Sequence, residues 1–102
     1  MELSSCRNAI EELVIEEVKA QIKSLNISLQ NQVDACGVIA YALNRLPTMY
    51  ATTQRGWAQQ RKRAREELSE QITSAVRQGM LGIRKDMLRA SQPLPAIELE
   101  TE

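Results

Sequence analysis

At 102 residues, with two cysteines, no histidine and no phenylalanine, the chain is one small domain whose core must come from Leu, Ile, Val, Ala and Met. The missing histidine excludes the usual Cys/His zinc spacings and histidine-based acid–base chemistry, and no apolar run approaches the roughly 20 residues of a membrane span. Formal net charge is zero, from 13 bases and 13 acids, which argues against a generic polycation.

In chain order, Ile10, Val14, Val18 and Ile22, widened by Leu13 and Leu25, predict a first helix from about Ser5 to Leu25. Ser4 or Ser5 can cap it, and Glu11 and Glu12 sit where the helix dipole favours acid. "SLNISLQNQ" breaks the period and reads as a connection. Val33, Cys36, Ile39, Ala40, Leu43 and Leu46 predict a second helix from about Val33 to Leu46, with Asn31 or Gln32 near its start. Asn44 caps its end, and Pro47 stops it because proline disfavours helical geometry in the preceding residue.

A long third helix starts between Thr52 and Trp57, with Trp57, Ala64, Leu68, Ile72, Ala75, Val76, Met80 and Ile83 on its apolar face. Gly79 and Gly82 each weaken it by about 1 kcal/mol relative to alanine, which points to a kink or a close approach near them. "KDMLRA" continues this helix or forms a short fourth one. The expected fold class is therefore all-α, a single domain of three to four helices over residues 1–90. "SQPLPAIELETE" follows as an extended or disordered acidic tail over 91–102.

The charges are segregated. Residues 1–44 hold six acids and three bases, residues 45–89 ten bases and four acids, and the tail adds three acids. An anionic partner fits the basic half. Cys6 and Cys36, 30 residues apart, fit a reduced chain in which each packs as a small apolar side chain. The start has no basic-then-apolar leader, so a soluble, cytoplasmic protein is expected.

Catalysis has little to rest on. The Glu11/Glu12 and Glu16/Glu17 pairs read as a solvated helix face, there is no Gly-rich phosphate loop, and no enzyme is expected. "RKRAREE", residues 61–67, reads either as an exposed face laced by Lys62/Glu66 and Arg63/Glu67 pairs or as an anion-binding patch. "NRLPTMYATTQRGW" reads either as a helix stop with a packed turn or as a nucleotide site. For the second, Tyr50 and Trp57 offer flat faces, Thr52 and Thr53 hydroxyls, Arg55 a planar fork of donors, and the new helix its free N–H groups. In "IRKDMLRA", Asp86 and Arg89 share a helix face, as a plain ion pair or as a pair that can read guanine edges.

"VIAYALNRLPTMYATTQRGW" resembles the signature of the late competence development protein ComFB family, most closely in "ALNRLP", Tyr50 and "ATTQRGW". The likeness continues through "REELSEQITSAVRQ" into "RKDMLRASQPLP", covers roughly residues 8 to 95, and follows the cyanobacterial form of the family. Thr48 stands where many relatives resemble "LPP". The resemblance implies a small all-helical homodimer and a receptor for cyclic dinucleotides, chiefly cyclic di-GMP, with cyclic di-AMP the alternative. Some relatives bind zinc through a cysteine cluster; with only Cys6 and Cys36 here, no metal is expected.

In that reading Arg45, Thr52, Thr53 and Arg55 turn toward phosphate, Tyr50 or Trp57 toward a base face, and Asp86 and Arg89 toward guanine edges, near or across a dimer interface. No further cofactor is expected. The receptor would report to a protein partner such as a transcription regulator. The competing readings are a helical interaction module in competence or pilus-linked DNA uptake without a small ligand, and direct DNA or RNA binding through residues 61–65. The neutral total charge weighs against the last.

Overall fold

The computed structural model describes residues 6–83. Among these residues helices dominate, as the sequence predicts, but there are five of them and a small sheet. The order is β1 (Arg7–Asn8), α1 (Ile10–Lys23), α2 (Ile27–Gln30), α3 (Ala35–Leu43), β2 (Tyr50–Ala51), α4 (Gln54–Glu67) and α5 (Ser69–Gly82). β1 and β2 pair antiparallel, Arg7 opposite Ala51 and Asn8 opposite Tyr50.

The helix α1 buries the predicted stripe, with Ile10, Val14 and Val18 almost wholly out of solvent. Burying each such side chain stabilises the fold by roughly 1.5–3 kcal/mol. It starts later than expected, after Ala9, which supplies no side-chain cap; Ser4 and Ser5 lie outside the described residues. The "SLNISLQNQ" connection contains a single helical turn, α2, capped by Asn26, whose Oδ1 accepts the Leu29 N–H at 2.9 Å.

The helix α3 is shorter than predicted at both ends. Asp34 caps it, its Oδ1 accepting the Gly37 N–H at 3.1 Å, and Asn44 closes it at the expected place. Its buried face is Val38 and Ala42, while Ile39 and Leu43 are half-buried and Cys36 and Ala40 exposed. "ACGVIAYAL" is nearly apolar all round, so its period could not select the face. Cys6 and Cys36 are both exposed free thiols, which corrects the expectation that they fill the core.

The predicted long helix is two. Leu68 ends α4 and begins α5 with φ −116° and ψ 5°, so the break falls well before Gly79 and Gly82. α3 packs on α1 and α5, α1 on α5, and α4 lies along α1 and against β2. Gly79 permits the α3–α5 crossing: a Cβ there would stand 3.1 Å from both Val38 Cγ1 and Tyr41 Cδ1. Among the described residues no polar or charged residue is buried, and no helix is long and apolar enough to cross a membrane.

Candidate functional site

The connection from Pro47 to Trp57 is tied to the start of the chain. Asn8 Oδ1 accepts the Met49 N–H at 2.9 Å and the Ile10 N–H at 3.4 Å, and the Ala9 N–H donates to the Met49 carbonyl at 2.8 Å. Met49 is thereby turned into the core. Its neighbour Tyr50, on the opposite face of an extended segment, is left 57% exposed.

Thr53 then caps α4. Its backbone is extended, and its Oγ1 accepts the Gly56 N–H at 2.9 Å, leaving the hydroxyl proton to donate elsewhere. The first intrahelical bond runs from the Trp57 N–H to the Thr53 carbonyl at 2.9 Å. The N–H groups of Gln54 and Arg55 come before it and find no partner among the described residues. Gly56 lets the turn close: a Cβ there would be 3.1 Å from Thr53 Oγ1 and 3.6 Å from Ala51 Cβ.

Tyr50 stands between two clefts. One, of about 560 Å³, opens at the start of α4 among Tyr50, Thr52, Thr53, Gly56, Gln59 and Arg63. The other, of about 400 Å³, lies on the β1 side among Arg7, Glu11, Glu12, Ile15, Tyr50 and Trp57. Both fall within the roughly 300–1,000 Å³ typical of small-molecule sites. In the second cleft the Arg7 guanidinium carbon lies 5.0 Å from the Trp57 ring centre, a cation–π contact, and Arg7 Nη2 is 3.8 Å from a Glu12 oxygen.

Most of the basic run on α4 is engaged in ion pairs. Arg61 reaches Glu12 at 3.0 Å and Glu16 at 3.2 Å, Arg65 reaches Glu16 at 3.4 Å, and Arg63 pairs with Glu67 at 3.1 Å. The Arg63/Glu67 pair is the one the sequence offers; Lys62 has no ion pair among the described residues. These arginines hold α4 on α1 or brace its own turn, so a solvated, structural face accounts for three of the run's four bases.

Of the sequence-selected residues, Tyr50, Thr52, Thr53 and Trp57 line the clefts. Arg55 is exposed on the first turn of α4 and lines neither. Arg45 is not brought to them: its guanidinium lies 3.4 Å from the centre of the Tyr41 ring and donates to the Tyr41 carbonyl at 3.0 Å. Asp86 and Arg89 lie outside the described residues. Sequence reasoning missed Arg7 and Gln59, read Glu11 as part of a solvated helix face, and met Arg63 as one base of the 61–67 run. Gln59 follows Gly56 at helical spacing, the signal that could have found it. Arg7 and Glu11 carry no local signal, because only the β1–β2 pairing brings them here.

The family model for late competence development protein ComFB matches residues 7–87, a span that takes in every residue lining the two clefts except Cys6. A search of curated proteins returns no match.

Proposed function

We propose, on the premise that this chain belongs to the late competence development protein ComFB family, that it is a non-enzymatic receptor for a cyclic dinucleotide, chiefly cyclic di-GMP. Family membership by itself fits a competence-related small protein. The receptor reading rests on one observation: an exposed tyrosine divides two clefts of complementary chemistry.

A cyclic dinucleotide carries two flat purines and two phosphates. On the α4 side, the Thr52 and Thr53 hydroxyls and the free N–H groups of Gln54 and Arg55 suit a phosphate, helped by the positive end of the helix dipole. Arg55 adds positive charge on the first turn of α4, while the charge of Arg63 is shared with Glu67. Tyr50 and Trp57 supply ring faces for a purine. A two-fold symmetric ligand matches a two-fold symmetric homodimer, which we include in the reading. Binding would favour one arrangement of the 47–57 connection or of the dimer and so alter a surface offered to a protein such as a transcription regulator.

The test is calorimetric titration with cyclic di-GMP, with cyclic di-AMP and GTP as controls, on the natural sequence and on Tyr50→Ala. Saturable heat is expected. Since stacking on an aromatic side chain contributes roughly 1–3 kcal/mol per base, Tyr50→Ala should weaken binding by about tenfold or more. Its unfolding midpoint should hardly move, because the ring is exposed. A folded protein that gives no heat with any dinucleotide would pass the reading to an interaction module without a small ligand.

A further inference from the structure

We propose that the cleft on the β1 side of Tyr50 is a guanine subsite, in which Arg7 and Glu11 read the base and Trp57 supports it; this rests on the dinucleotide reading above.

Charge decides which part of a nucleotide this cleft can take. Glu11 and Glu12 face it, against one cation of its own, Arg7. Glu12 is already engaged by Arg7 at 3.8 Å and by Arg61 at 3.0 Å. The exposed Glu11 carboxylate has no hydrogen bond or ion pair among the described residues. A phosphate here would meet an uncompensated carboxylate, so phosphates belong on the α4 side of Tyr50. A neutral base that presents N–H donors to a carboxylate is what remains.

Guanine presents them, from N1–H and the N2 amino group, and on its other edge it has the O6 and N7 acceptors that an arginine can bridge bidentately. Adenine reverses the first edge, where its N1 is an acceptor and would face the carboxylate's lone pairs. It also sets an amino donor at N6 against the guanidinium. The cleft therefore carries repulsion against adenine as well as attraction for guanine, the combination that makes recognition selective.

The Arg7–Trp57 contact supplies the flat support. With its carbon 5.0 Å from the ring centre, the guanidinium is held in the cleft without being buried. A purine that displaces the guanidinium from the indole face takes its place on the ring and leaves the N–H fork of Arg7 to reach the O6/N7 edge. The indole's surroundings then change, and Trp57 is the only tryptophan of the chain.

Trp57 emission therefore reports on this cleft directly and separates this inference from the receptor reading. The experiment titrates the full chain and Glu11→Gln with cyclic di-GMP and cyclic di-AMP, following emission and calorimetric heat together. Helix content by circular dichroism checks that the exposed Glu11 site tolerates the change. Cyclic di-GMP should alter Trp57 emission in the natural sequence. Glu11→Gln should weaken cyclic di-GMP by about tenfold, the scale of one lost base-edge pair, while leaving cyclic di-AMP binding equal or tighter. Heat with unchanged emission, or a guanine preference that survives in Glu11→Gln, would overturn the subsite and leave the receptor standing. No heat with either dinucleotide would remove both.

Discussion

Where α3 crosses α5, the contact is apolar and closed: Val38 and Val76 are fully buried, and Gly79 brings the two backbones together. Where β1, β2 and α4 meet, the contact is made by hydrogen bonds from Asn8 and Thr53, and Tyr50 is left in solvent. Packing at the crossing is made within the chain, by side chains buried against one another. At the junction, N–H donors, a hydroxyl, a carboxylate and two ring faces keep capacity for something else. The contrast locates stability in one region and recognition in the other, and substitutions in each should separate the two properties.

The largest expected effect comes from Gly79→Val. A Cβ alone would already press on Val38 Cγ1 and Tyr41 Cδ1 at 3.1 Å, and the fully buried Val38 has no room to retreat. Two further methyl groups must force α3 and α5 apart, at a cost of about 1–3 kcal/mol by overpacking. Urea unfolding followed by helix signal measures it. An unchanged midpoint would show that the crossing is loosely packed and would erase the contrast.

The same glycine shows what the sequence could and could not say. Its low helix propensity pointed to a kink or a close approach, and the second holds: α5 continues through it, and the missing side chain admits α3, the one detail that no local pattern names. The actual break, at Leu68, was hidden because Ala64, Leu68, Ile72 and Val76 keep a helical period across it. The stripe of α1 was legible, being a repeat within one element, and so was the stretch from Thr52 to Trp57 in which α4 begins. On the site side, Tyr50, Thr52, Thr53 and Trp57 were legible as a cluster within eight residues. Arg7 and Glu11 were not, since a two-residue strand pairing some forty residues away in sequence is too short to leave an alternating pattern.

The next effect compares two caps of the same form, one in each half of the contrast. Asp34 and Thr53 each accept the N–H of a glycine three residues on, at 3.1 and 2.9 Å. Asp34→Ala and Thr53→Ala should each destabilise the fold by about 1 kcal/mol. Only Thr53→Ala should also weaken cyclic dinucleotide binding, because it lines the α4 cleft while Asp34 caps a helix of the core. Paired unfolding and calorimetric titrations would decide. Equal losses of affinity in both would mean that binding follows overall stability and not the Thr53 hydroxyl.

The smallest expected effect lies on the α1–α4 seam behind the clefts. Arg61, its side chain 30% exposed, spans Glu12 and Glu16, and Arg65 shares Glu16. Partly exposed pairs are each worth about 0.2–1 kcal/mol, so Arg61→Ala should lower stability by no more than about 1 kcal/mol. If charge is the cause, the difference from the natural sequence should shrink as screening tightens from about 10 Å at 0.1 M salt to about 3 Å at 1 M. The substitution also leaves Glu12 to Arg7 alone, which should draw Arg7 toward Glu12 and off the Trp57 ring, changing Trp57 emission even where the unfolding midpoint barely moves. A stability difference that ignores salt would assign Arg61's contribution to the packing of its aliphatic stem between α1 and α4. The ion pairs would then serve to position Glu12 beside the cleft while adding nothing to the strength of the fold.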